Sequence, residues 1–233
     1  MPAPIQPPHV LPPAPVPTLP VAGSDGLFPV RRVYCIGRNY AAHAVEMGGD
    51  PDREPPFFFQ KNPQNLETSG HFPYPPQTGD VHHEVELAVA LGSGGRDIPV
   101  SRALETVWGY AVALDMTRRD RQAEAKAAGR PWEVAKAFEH SAPIGRLHPV
   151  SEVGHPSRGA IRLTVNGAPR QEGCLSQMIW KVAEIISVLS EHFELAAGDV
   201  ILTGTPAGVG PVLPGDVLEA RIEGLSALRV AVV

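Results

Sequence analysis

Apolar residues in this chain come in short runs and alternating stretches of strand length, separated by Gly- and Pro-rich turns. Residues 30–36 and Phe57–Lys61 are two such runs. The most informative stretch is His83-Glu84-Val85-Glu86-Leu87-Ala88-Val89-Ala90-Leu91. Successive side chains of a strand point to opposite faces, so Glu84 and Glu86 share a face with Ala88 and Ala90, while Val85, Leu87, Val89 and Leu91 form a buried one. The alanines leave open space beside the acids. A second apolar run, residues 109–114, ends on Asp115. Residues 161–165 lead into Asn166-Gly167, the strongest two-residue hairpin signal. Residues 200–203, 216–222 and 228–233 supply the last strands.

Helical spacing is rarer. Asn39 is placed to cap a short helix over residues 41–47, stopped by Gly48-Gly49. Ser101 caps another that reaches about residue 107. Thr117-Arg118-Arg119-Asp120 reads as a capping box opening a helix over 118–128, which Gly129 and Pro131 end. In the longest helix, 176–193, Met178, Val182, Ile185, Ile186 and Leu189 fall on one face. Strands outnumber helices and no βαβ unit repeats. The expected fold class is α+β around a curved mixed sheet.

The first thirty residues hold ten prolines and neither Lys nor Arg, unlike a signal peptide or an amphipathic transit helix. Residues 1–20 read as an extended polyproline-like arm. The expected division is an arm over 1–29 and a single catalytic domain over 30–233. No uninterrupted apolar stretch is long enough to span a bilayer. A net charge of -5 over 233 residues gives no electrostatic reason for a nucleic-acid or acidic-membrane partner, so an acidic substrate must be held by local cations. Cys35 and Cys174, the two cysteines, belong to no paired motif; a reduced, cytoplasmic setting is the simplest reading.

An acid pair two residues apart is ordinarily a solvated strand face. Here it lies in a strand with a strongly apolar opposite face, and Asp115 can complete a three-carboxylate cup. Oxygen ligands without cysteine suit Mg2+ or Mn2+ better than zinc. His82 and His83 adjoin the cup as supporting residues. His43 and Glu46 share a helix face: either an exposed pair of little value, or an imidazole oriented by a carboxylate to act as general base. Arg119 and Gln122, with the helix N-terminus, form an anion-binding corner; Arg118 either joins it or is solvated. Lys136 lies in an apolar context uncommon for lysine and could face the metal and stabilise an enolate; Lys61, after three phenylalanines, has a weaker claim. Thr203-Gly204-Thr205-Pro206-Ala207-Gly208-Val209-Gly210 lacks the lysine and following helix of a nucleotide loop, and reads as a substrate-contacting loop in which Thr205 offers a hydroxyl or N–H.

Five segments taken together resemble the fumarylacetoacetate hydrolase family: Gly37-Arg38-Asn39-Tyr40-Ala41-Ala42-His43 with Glu46, His83 to Leu87, Leu114 to Gln122, Ala135-Lys136-Ala137-Phe138, and Ile201 to Pro206. They occur in the family's order. The resemblance implies a mixed β-roll or sandwich of the family's C-terminal-domain type and a homodimer. It also implies a metal held by Glu84, Glu86 and Asp115, a water-activating His43–Glu46 dyad on a lid, and substrate contacts from Arg119, Gln122, Lys136 and Thr205. Residues 53–59, His82-His83-Glu84, and Thr117-Arg118-Arg119-Asp120 followed by Gly129-Arg130-Pro131-Trp132-Glu133 are most similar to the branch that hydrolyses fumarylpyruvate in gentisate breakdown. Asn62, after Lys61, departs from the proline usual in relatives.

The expected reaction is metal-dependent cleavage of the C3–C4 bond of a 2,4-dioxo acid, with 3-fumarylpyruvate giving fumarate and pyruvate. Decarboxylation of a β-keto acid such as oxaloacetate, or isomerisation of a 2-hydroxy-diene-dioate, is the alternative within the family, because fold alone does not select the reaction. The bland alternative is a non-catalytic binding module whose acid pair is structural.

Overall fold

The computed structural model describes residues 9–46, the side chains of 44–46 excepted, and residues 54–233. Its centre is a six-stranded sheet in the spatial order His148–Pro149, Val107–Leu114, Val85–Leu91, Asp199–Leu202, Arg32–Gly37, Phe57–Lys61. Asp199–Leu202 runs parallel to Arg32–Gly37 and antiparallel to Val85–Leu91, so the sheet is mixed. A five-stranded sheet lies against it, ordered Ala168–Cys174, Ala160–Val165, Val217–Ile222, Leu228–Val232, His71–Phe72. Its first two strands are the hairpin expected at Asn166-Gly167, whose positive φ values of 52° and 78° suit the turn. Val85, Leu87, Val89 and Leu91 join Leu163, Leu218 and Val230 of the second sheet, and Ile185 and Leu189 of the helix Val182–His192, in one continuous core. The α+β class and the strands Phe57–Lys61 and Val85–Leu91 are as the pattern predicts.

The other face of the central sheet corrects the expected arm. Thr18–Pro20 and Leu27–Pro29 pair as an antiparallel hairpin. Its Leu19, Val21 and Phe28 pack on Ala88, Ala90, Ala111 and Ala113. The space beside the alanines is therefore filled by the chain's own Pro-rich segment, and the folded unit begins before residue 30. Small side chains on the sheet let the hairpin approach closely. Leu19 is fully buried. Leu19→Ala is expected to lower stability by about 2–5 kcal/mol, read as a lower urea midpoint with unchanged slope. A loss below about 0.5 kcal/mol would mean that the hairpin does not carry the packing seen here.

Three helix boundaries also differ from the sequence reading. The last helix begins at Val182 rather than 176, because the preceding turn is fastened to the sheet: the Trp180 N–H donates to Asn39 Oδ1 at 2.7 Å, and Asn39 Nδ2 donates to Thr203 O at 2.8 Å. Asn39 thus ties two segments to the sheet. The helix Arg119–Ala127 is not capped by Thr117, whose side chain turns inward. The helix expected from Ser101 splits into Val100–Ala103 and a 3-10 turn, Leu104–Thr106.

Candidate active site

The three acids meet at one end of the central sheet. Val85 pairs with Leu114 and Glu86 with Ala113, and the ladder continues as the Asp115 N–H donates to Glu84 O at 2.9 Å. Glu84 and Asp115 are therefore direct cross-strand neighbours on one face, with Glu86 diagonal to them. One carboxylate oxygen from each of the three lies within 4.8 Å of the others, and all three side chains are buried.

The loop after Asp199–Leu202 closes the third side. Thr203 Oγ1 donates to Leu87 O at 3.0 Å, the Gly204 N–H to Glu86 Oε2 at 2.7 Å, and Thr205 Oγ1 to Val85 O at 2.8 Å. At φ 92° and with a built Cβ only 2.7 Å from Asn39 Cβ, residue 204 has to be glycine. The Thr205 hydroxyl also accepts from Gln171 Nε2 at 2.8 Å, so it holds the loop rather than reaching outward.

Buried cations surround the cup. Lys136 Nζ donates to Glu84 Oε2 at 2.9 Å, Asp115 Oδ2 at 2.7 Å and Thr117 Oγ1 at 2.6 Å. Lys61 Nζ lies 2.8 Å from Asp115 Oδ1 and donates to Ser141 Oγ at 3.0 Å and to the Lys136 carbonyl. Lys61 does not line the cleft; it steadies Asp115 and the helix end at Lys136, which corrects the substrate role expected for it. Arg119 pairs with Glu84 Oε1 at 2.5 Å and donates to Gln122 Oε1 at 2.6 Å. The backbone N–H of Arg119 is engaged by Asp80 O at 2.7 Å, so anion recognition here belongs to side chains rather than to a bare helix end. Arg118 points elsewhere, donating to Val134 O at 3.1 Å and lying over the Phe138 ring, and leaves the site.

These cations set the protonation of the cup. Burial pushes the Glu84 carboxyl up, but Lys136, Arg119 and His43 together pull it well below the usual carboxylate range. For Glu86 the balance runs the other way, with Lys136 and the Gly204 N–H the weaker influences. Burial first, then the Asp115 and Glu84 carboxylates, push it well above that range. Burial opposes the charge on Lys136, yet Asp115 and Glu84 raise its pKa on balance, so it stays an ammonium. Cys35, on the same face, is driven up by burial and is no nucleophile.

A divalent ion fits these residues on two observations. Glu84, Glu86 and Asp115 bring buried carboxylate oxygens together, and burial with the other two carboxylates pushes the Glu86 carboxyl up. Asp115 Oδ1 lies beside Lys61 but has no hydrogen-bonded partner. Three hard oxygen donors without sulfur suit Mg2+ or Mn2+. His43, Glu84, Asp115, Arg119, Gln122 and Lys136 line a common cleft. His43 is buried on the helix Ala41–Glu46; the Glu46 side chain and Gly48-Gly49 lie outside the described residues. His82 and His83 stay outside the cup: His83 Nδ1 meets Gln171 Oε1 at 2.9 Å and His82 Nε2 meets Asp80 at 2.9 Å. Gln171, on the strand Ala168–Cys174, also accepts from the Val85 N–H at 3.1 Å. It buttresses the site from the second sheet, and nothing in its local sequence signals that role.

The acidic cup, two buried lysines, the half-buried Arg119 and a histidine on a short neighbouring helix form a site that could hold a divalent ion. Residues 32–233 match the fumarylacetoacetate (FAA) hydrolase C-terminal family. A fumarylpyruvate hydrolase from Pseudomonas aeruginosa, solved with Mn2+ and pyruvate, is 54% identical, with a TM-score of 0.95 over 97% of this chain and 99% of that one. A mitochondrial oxaloacetate tautomerase of Arabidopsis thaliana is 46% identical over 85% of this chain and 89% of its own length. An oxaloacetate tautomerase of Escherichia coli is 43% identical over 85% of this chain and 91% of its own. The chain belongs to the fumarylacetoacetate hydrolase family. Among the described residues no helix is long and apolar enough to cross a membrane.

Proposed function

We propose that this protein is a divalent-metal-dependent hydrolase of 2,4-dioxo acids that cleaves 3-fumarylpyruvate to fumarate and pyruvate. The observation that carries the reading is the convergence of Glu84, Glu86 and Asp115 among buried cations. Once Glu86 has given up its proton, three carboxylates face Lys61, Lys136 and Arg119 and their charges balance. An added dication leaves two positive charges, the complement of a substrate dianion. The 54% identity to a fumarylpyruvate hydrolase supports the same substrate.

When bound, Mg2+ or Mn2+ held by Glu84, Glu86 and Asp115 supplies Lewis-acid charge to the carboxylate and 2-oxo oxygen of the substrate. His43 takes a proton from water, and the resulting hydroxide adds to the C4 carbonyl. As the C3–C4 bond breaks, the electron pair passes to the pyruvate enolate, the Lys136 ammonium faces the negative charge that develops, and the proton held by His43 is returned to C3 to give pyruvate. Arg119 and Gln122 hold substrate oxygens beside it. The working unit is expected to be a homodimer in the cytoplasm.

The relatives named for oxaloacetate tautomerisation favour a second reading, in which the same cup polarises a β-keto diacid for proton transfer without hydrolysis. Adding purified protein and Mn2+ to 3-fumarylpyruvate separates the two. The proposal expects loss of diketone absorbance with equimolar fumarate and pyruvate. Intact diketone in the presence of bound Mn2+, with accelerated ketonisation of oxaloacetate enol, would replace it with the second reading.

A further inference from the structure

The cleft continues past the acid cup to two cations that neither the metal nor the reacting carbons require. Lys126 and Arg38 line it together with Phe57, Phe59 and Trp132. Lys126 Nζ lies over the Trp132 ring at 5.3 Å from its centroid, and the Arg38 guanidinium over Phe57 at 5.9 Å. Phe57 and Trp132 meet edge to face at 5.4 Å, so one aromatic wall seats both cations. Neither makes an ion pair among the described residues. The Lys126 ammonium is disfavoured by burial and then by the neighbouring charges of Arg119 and Arg38. Arg38 holds a left-handed backbone, φ 55°, uncommon for arginine. Glu84 offsets these like charges only in part and is itself held by Lys136 and Arg119, so an anion brought from outside relieves them.

The helix sets the reach. Arg119, Gln122 and Lys126 fall three and four residues apart on Arg119–Ala127, one stripe along one face. Arg119 touches Glu84 of the cup, while Lys126 stands seven residues on, about 10 Å further along the axis. Between them Phe59 and Trp132 give an apolar slot.

Accepting the dioxo-acid reading above, we propose that Arg38 and Lys126 form the subsite for the distal carboxylate of the substrate, and so select long dioxo diacids over short or uncharged ones. The flat alkene of a fumaryl group lies along the aromatic slot, and its carboxylate meets the paired cations. A four-carbon keto diacid gripped at the cup stops short of them. An acyl group ending in methyl reaches toward the same region with nothing for them to hold.

The test compares kcat/KM for 3-fumarylpyruvate and acetylpyruvate in wild-type protein, Lys126→Met, Lys126→Arg and Arg38→Asn, with Mn2+ affinity and melting temperature measured alongside. Asparagine tolerates the left-handed backbone at position 38. Lys126→Met and Arg38→Asn should each lower the fumarylpyruvate-to-acetylpyruvate ratio of kcat/KM by roughly 10- to 100-fold, the scale of a charge-assisted contact, and Lys126→Arg should retain most of it. A ratio unchanged in both variants, with wild-type cleaving the diketones, overturns the subsite alone. Wild-type protein that binds Mn2+ and cleaves neither diketone overturns the hydrolase reading, and the subsite with it.

Discussion

Glu86→Gln is expected to weaken divalent-ion binding by at least about 100-fold and, at the same time, to stabilise the metal-free protein. Loss of a supporting partner already costs metal sites about 10- to 100-fold, and Glu86 would be a direct ligand. The opposite sign for stability follows from its surroundings. In the metal-free protein Glu86 is a buried carboxyl on which burial, Asp115 and Glu84 outweigh the attraction of Lys136. Glutamine keeps an oxygen for the Gly204 N–H and removes the repulsion, a gain on the order of 1 kcal/mol or more at neutral pH.

The pH dependence carries the same signature. The folded carboxyl keeps its proton to higher pH than the unfolded one, so the native state binds more protons across that window. Stability of metal-free wild-type protein should therefore fall as pH rises from the ordinary carboxylate range through the raised pKa of Glu86, and Glu86→Gln should flatten the fall. Ion binding must expel that proton, so apparent affinity rises with pH. Calorimetric Mn2+ titrations in two buffers of different ionisation enthalpy count the released protons. Equal Mn2+ affinity in both proteins, with no difference in their melts, contradicts the placement of Glu86 in the cup.

Lys136→Met is the second large effect. Its ammonium is buried against Glu84, Asp115 and Thr117. Removing one partner of a buried pair leaves charge uncompensated, at a cost of about 3–5 kcal/mol. Mn2+ should restore part of that loss, because a dication takes over the attraction for Glu84 and Asp115. It should not restore turnover, expected to fall about 100- to 1,000-fold, since the charge facing the enolate is missing. Arginine is no substitute in a cavity shaped around three short contacts to one nitrogen. Thermal melts with and without Mn2+, paired with kcat, check both parts. A stability loss identical in the two conditions, with kcat intact, would assign Lys136 a purely structural role.

What could be read from the sequence tracks how local the cause is. Val85–Leu91 with Glu86, and Glu84 just before it, are legible because strand periodicity is written in neighbouring residues, and Asp115 because it ends an apolar run. Lys136 and Lys61 both stand out as lysines in apolar surroundings. That one faces the cleft and the other braces Asp115 from behind depends on which side of a strand partner each meets. Thr117 has the spacing of a helix cap, but the ammonium of Lys136 competes for its hydroxyl and wins. The Pro-rich start carries the composition of an unfolded arm. Leu19 and Phe28 nonetheless find a face of alanines, and only the pairing of Val85–Leu91 with Val107–Leu114 creates that face. Gln171 lies far from Val85 and Thr205 in sequence, and no nearby residue marks it. Lys126 was legible in principle, by its helical spacing from Arg119 and Gln122.

A crystal structure of the protein soaked with Mn2+ and pyruvate tests the central claim most directly. An anomalous peak is expected about 2.1 Å from one oxygen each of Glu84, Glu86 and Asp115, with the pyruvate carboxylate and keto oxygens completing the coordination beside Lys136. An ion bound elsewhere, or a cup that stays closed on Lys136 at saturating Mn2+, would contradict it.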